Sequence, residues 1–126
     1  MSDTKILIVE DEILIAEDLR LVLKRMGHQV VGMASSGTEA IWKADELHPN
    51  LVLMDVRLRG VMDGVEAARR IRSKADIAVI YVTAHASVLA SLEIRHRCTL
   101  LAKPFSPLQL QAAIATVTSE TQRQAQ

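Results

Sequence analysis

Within this 126-residue chain, polar groups stand where apolar runs stop. The run Ile6–Val9 ends in Glu10, Asp11 and Glu12, and Leu51–Met54 ends in Asp55. Ile77–Val82 ends in Thr83, and Leu100–Ala102 ends in Lys103. Carboxylates that converge on one crevice repel one another unless a cation joins them. Hard oxygen donors select magnesium, with manganese as the alternative. No imidazole or thiolate stands at these run ends, which argues against zinc. Beside such a cation a carboxylate can act as a nucleophile toward phosphorus, giving an acyl phosphate. The transfer needs positive charge around the equatorial oxygens, which the metal and Lys103 would supply, and Thr83 would hydrogen-bond a phosphoryl oxygen. Singly, each residue has a plainer use: Asp11 or Thr83 as a helix cap, Lys103 as a solvated lysine. Their joint arrangement at run ends favours the site.

These residues meet only if the runs are neighbouring strands. The runs Ile6–Val9, Val30–Ala34, Leu51–Met54, Ile77–Val82 and Leu100–Ala102 are short, rich in Val, Ile and Leu, and do not alternate with polar residues. That pattern predicts strands covered on both faces. Between them, Ile15, Leu19, Val22 and Met26 recur at helical spacing, and Gly27 follows as a stop. Ser36 with Glu39 predicts a capping box for a second helix that Pro49 closes. Val65, Ala68 and Ile71 mark a third, whose basic end at Arg69, Arg70, Arg72 and Lys74 suits the helix dipole. Ser87–Arg97 reads as a fourth helix. Ser106, Pro107 and Gln109 read as N-cap, N1 and N3 of a fifth. Five such βα units predict an α/β fold, a doubly wound parallel sheet with helices on both faces. In such sheets ligands lie beyond the carboxyl ends of the strands, where strand order reverses. Residues 119–126 form a polar tail after a single domain over 1–118.

Composition narrows the function. Fifteen acidic and fifteen basic residues cancel, so no global field draws the chain to nucleic acid or anionic lipid. The basic stretches Arg69–Lys74 and Arg95–Arg97 lack aromatic partners for a nucleic-acid surface. Trp42, Tyr81 and Phe105 are the only aromatics, so the core is aliphatic. The lone Cys98 excludes an intrachain disulfide and reads as a small buried hydrophobe. Charge interrupts the N-terminal apolar stretch within a few residues, and no run approaches the roughly 20 apolar residues of a membrane span. A cytoplasmic protein is expected.

The segments ILIVEDE at 6–12, LVLMD at 51–55, MDGVEAARRIR at 62–72, VTAHA at 82–86 and AKPF at 102–105 resemble bacterial two-component response-regulator receiver domains. The likeness extends from about Lys5 to Val117, with five separated pieces in order and spacing. It implies a flavodoxin-like sheet ordered 2-1-3-4-5 with five flanking helices. It implies that Asp55 is the phosphoacceptor, and that Glu10, Asp11, Asp55 and the backbone carbonyl of Arg57 hold Mg2+. It casts Thr83 as the switch hydroxyl and Lys103 as the phosphate-contacting lysine, with a cis Lys103–Pro104 bond. The implied partners are a sensor histidine kinase or phosphotransfer protein, small acyl phosphates as donors, and a downstream protein target. A homodimer is compatible with the resemblance, and its only catalysis is its own phosphorylation and dephosphorylation. Three features depart from the family pattern. Arg59 stands where proline is usual, the stretch Asp55–Asp63 is one residue longer, and Leu100 replaces the switch aromatic.

Two rival readings compete. A haloacid-dehalogenase-type phosphatase needs a second aspartate two residues after its nucleophile, where Arg57 stands. A pseudo-receiver, a binding module never phosphorylated, would not need the full set Glu10, Asp11, Asp55, Thr83 and Lys103. Arg57 and His85 follow strand ends and are expected to flank the mouth of the site. Trp42 is expected to point away from the Ala40, Ala44 and Leu47 face of its helix.

Overall fold

A computed structural model describes residues 4–84 and 97–125 of the chain. Five strands run β1 (Lys5–Val9), β2 (Gln29–Ala34), β3 (Leu51–Asp55), β4 (Ala78–Thr83) and β5 (Cys98–Ala102). They pair in parallel throughout, in the order β2-β1-β3-β4-β5. The predicted sheet is therefore the observed one. Four helices are described: α1 (Ile13–Arg25), α2 (Gly37–Leu47), α3 (Gly64–Lys74) and α4 (Pro107–Ala125). The helix expected over Ser87–Arg97 lies outside the described residues except for Arg97. That residue has φ 63 in a turn, and β5 begins at Cys98, two residues before the expected start at Leu100.

Successive strand residues point to opposite faces, so the sheet divides the interior into two cores. Leu7, Val9, Val52, Met54 and Val79 pack beneath the small residues of α2 and α3. Ile6, Ile8, Leu51, Leu53 and Ile80 pack against Leu23 of α1 and Ile114 of α4. In β1, β3 and β4 residues on both faces are buried, which is why these strands read as continuous apolar runs, while the edge strands β2 and β5 are only partly covered. The α1 stripe differs from the expected one by about one position. Ala16 and Leu23 are fully covered and Leu19, Val22 and Met26 pack beside them, whereas Ile15 is 37% exposed.

The helix entries follow side-chain chemistry. Ser106 Oγ accepts from the Gln109 N–H at 3.1 Å while Gln109 Oε1 accepts from the Ser106 N–H at 2.8 Å, a complete capping box. At α2, Ser36 Oγ accepts from the Glu39 N–H, but the Glu39 carboxylate reaches back to Ser35. Asp63 caps α3 by accepting the Glu66 N–H at 2.9 Å. The chain leaves α2 through His48 in the left-handed region, φ 52, and Pro49 follows. Gly27, φ 91, does the same after α1.

The three arginines of the α3 basic run are engaged within the molecule. Arg69 and Arg70 pair with Glu66, and Arg72 donates to Cys98 Sγ at 2.6 Å. Cys98 is buried, as expected. Arg97 is buried and pairs with Asp76 at 2.7 Å. Among the described residues no helix is long and apolar enough to cross a membrane.

Candidate functional site

The sheet order reverses between β1 and β3: the chain goes outward to β2, then returns past β1 to build the other half. The connections leaving the carboxyl ends of β1 and β3 therefore diverge and open a crevice. Glu10 and Asp11 follow β1 at this point and Asp55 ends β3. Thr83 ends β4, and Lys103 follows β5. The register places Val9 opposite Met54, Asp55 opposite Val82 and Thr83 opposite Ala102, so all four strand ends finish at about one level.

Glu10, Asp11 and Asp55 each offer a carboxylate oxygen within 4.8 Å of the others, the one such acidic group among the described residues. Glu10 and Asp55 are buried, and Asp11 lies at the rim. Glu12 is not part of the group. Its side chain is exposed, and its N–H donates to Glu10 Oε2 at 3.1 Å. Lys103 Nζ sits between Glu10 Oε1 at 3.4 Å and Asp55 Oδ2 at 3.3 Å. The N–H of Arg57 donates to the other Asp55 oxygen at 3.1 Å, while the Arg57 side chain lies outside. Thr83 is buried, and its carbonyl accepts the Lys103 N–H at 2.8 Å. This bond fixes where β5 delivers the lysine. The Lys103–Pro104 peptide is cis, as the resemblance implied.

Charge is crowded here. Burial, followed by the nearby Asp55 charge, pushes the Glu10 carboxyl up to about 7, against a partial offset from the Glu12 N–H and the Lys103 charge. Burial alone would lower the Lys103 ammonium, but the Asp55 and Glu10 charges outweigh it and raise the group. A half-buried lysine bridging two carboxylates marks where positive charge is wanted. The donor set is three hard oxygens with no sulfur or imidazole, and so suits magnesium or manganese.

Two residues outside the predicted set shape the site. Gly64 opens α3, and a Cβ there would meet the Asp55 carbonyl oxygen at 2.0 Å. Its position in MDGVEAARRIR was a visible signal. Arg59, a departure from the family pattern, donates its N–H to Asp11 Oδ2 at 3.2 Å, and its Nε lies 3.5 Å from the same oxygen. Leu100 pairs with Tyr81 in the β4–β5 register and packs partly buried against the α2–α3 core. His85 lies outside the described residues.

Fold and site together define a doubly wound, flavodoxin-like α/β protein with an acidic crevice at its switch point. A family model of the response regulator receiver domain matches residues 6–115, and the chain belongs to that family of signalling modules. It is similar to the phyllosphere-induced regulator PhyR of Methylorubrum extorquens, with 37% identity over 89% of this chain and 42% of the relative. The transcriptional regulatory protein PdtaR of Mycobacterium tuberculosis is 36% identical over 91% of this chain and 57% of its own length. The chain thus spans about half the length of these curated relatives. Among solved structures, the anti-anti-sigma factor PhyR from Bartonella quintana aligns with TM-score 0.88 at 32% identity, covering 99% of this chain and 51% of that one. The receiver domain of Erythrobacter litoralis PhyR aligns with TM-score 0.83 at 30% identity, covering 94% of this chain and 92% of that one.

Proposed function

We propose that this chain is a phosphoacceptor receiver: Asp55 takes a phosphoryl group from a donor and the change passes to a protein partner. The observation that carries the reading is the Lys103 ammonium held between Glu10 and Asp55 in the crevice at the switch point. An oxygen of Asp55 attacks the donor phosphorus, a P–O bond forms to the carboxylate, and the bond to the donor's leaving group breaks. The leaving group departs with the electron pair. Lys103 balances charge on the transferred group, and the Thr83 hydroxyl hydrogen-bonds one of its oxygens. Glu10, Asp11, Asp55 and the Arg57 carbonyl would hold Mg2+. When bound, that ion supplies charge neutralisation at the phosphoryl oxygens.

The chain's only catalysis in this reading is its own phosphorylation and dephosphorylation, and the setting is cytoplasmic. The receiver unit is 1–118, with 119–126 as a polar extension. The donor is a sensor histidine kinase, a phosphotransfer protein or a small acyl phosphate. Ile13 and Leu14 stand exposed just after Glu12, and Leu108 just after the Lys103–Phe105 turn. They supply apolar surface beside the mouth where a protein donor would seat. The signal leaves by repacking around Thr83 and Leu100, with leucine taking the place of an aromatic side chain.

The test is phosphoryl uptake from an acyl phosphate with Mg2+. Wild type is expected to incorporate the group, and Asp55→Asn is not. Equal incorporation by both, or none by either, would reject the reading.

A further inference from the structure

Each carboxylate of the crevice already has a cation of this chain against it. Lys103 serves Glu10 and Asp55 from inside the sheet end. Arg59 serves Asp11 from outside, across 48 residues of sequence. Its N–H and its Nε converge on the same oxygen, Asp11 Oδ2, at 3.2 and 3.5 Å. The Asp11 side chain is 14% exposed and that of Arg59 is 84% exposed, so the guanidinium lies over the rim. The chain can turn directly after Arg59 because Gly60 has φ 102 and open space around its α-carbon. The contact is thus made by the 55–63 stretch, at the position where the resembled family usually has proline.

We propose that Arg59 is an autoinhibitory counter-ion: it competes with the divalent cation for Asp11 and sets the concentration at which the site loads. This rests on the metal-site reading above. A divalent ion that takes Asp11 as a ligand shares its carboxylate charge with the guanidinium and is repelled by it, so the ion binds more weakly while Arg59 stays in place. Arginine stays charged at all ordinary pH, so the competition persists wherever the carboxylate is ionised. The guanidinium is solvated, so its hold is modest and screened by salt. It tunes the affinity of the site and does not block it.

Calorimetric titration with Mg2+, and separately with Mn2+, tests this on the full chain without reference to phosphorylation. Removing an exposed ion pair predicts about two- to fivefold tighter binding in Arg59→Ala, with the gap narrowing as salt is raised. Arg59→Lys keeps the charge and should stay near wild type. Arg59 is exposed, so neither variant threatens the fold. Unchanged or weaker binding in Arg59→Ala overturns the proposal, while loss of binding in Asp11→Ala would keep the metal site itself. If wild type shows no binding that Asp11→Ala abolishes, the metal-site reading fails and takes this proposal with it.

Discussion

Gly64 stands against the backbone of Asp55 so closely that a β-carbon on it would lie 2.0 Å from the Asp55 carbonyl oxygen and 2.9 Å from its carbonyl carbon. Its N–H also donates to the Val56 carbonyl at 2.9 Å, so the start of α3 is tied to the residues carrying the site. The obstacle is backbone, which cannot swing aside as a side-chain end could. Gly64→Ala should therefore shift the end of β3 and destabilise the protein by about 1–3 kcal/mol, the range for overpacking. Urea unfolding measures the loss, and phosphoryl uptake should fall with it. A variant with wild-type stability and uptake would mean that α3 can move away freely.

Glu10 makes stability depend on pH in a particular direction. Its carboxyl rises from the ordinary 4.5 to about 7 in the folded, metal-free protein, chiefly through burial and the Asp55 charge. Between these values the folded state holds a proton that the unfolded state has lost. Stability therefore falls as pH rises from about 4.5 through about 7. Unfolding in chelator across this window should show the decline, and Glu10→Gln should remove the part due to this residue. Magnesium competes with that proton, so its stabilising effect should grow over the same window. An identical pH profile for wild type and Glu10→Gln would contradict the assignment.

Trp42 is 62% exposed on α2, clear of the buried Ala40 and Ala44, and it is absent from the acidic group. Magnesium should leave its fluorescence essentially unchanged. Strong quenching on titration would mean that loading the crevice moves α2.

Arg57 gives its backbone N–H to Asp55 Oδ1 while its side chain stays outside. That side chain can lie across a phosphoryl group on Asp55 and pair with its oxygens, excluding the attacking water. Arg57→Ala should shorten the lifetime of the phosphorylated form without preventing its formation. Decay of purified phosphoprotein decides it, and an equal or longer lifetime leaves Arg57 as surface.

What could be read from the sequence follows from what is local. The apolar runs before Glu10, Asp55 and Thr83 were visible because strands buried on both faces show no alternation. Their polar ends mark the sheet's carboxyl edge directly. The capping pair Ser106–Gln109 was equally readable, since both halves lie within one helical turn. The α1 stripe differs at Ile15 because Ile13, Leu14, Ile15 and Ala16 are all apolar, so periodicity alone cannot say that the small Ala16 turns inward while the three larger residues stand exposed. The Arg59–Asp11 contact and the Gly64–Asp55 approach depend on the path of the 55–63 stretch, which no pattern of residue types specifies. Arg72 beside Cys98 likewise joins residues brought together only by the sheet.

The central claim is that Asp55, of the three carboxylates in the crevice, receives the phosphoryl group. Borohydride reduction after acyl-phosphate treatment converts an aspartyl phosphate to homoserine, and peptide mapping then locates it. Homoserine at position 55 alone, dependent on Mg2+ and absent from Asp55→Asn, is the predicted result. Reduction product at Glu10 or Asp11, or none anywhere while magnesium binds, would contradict the account.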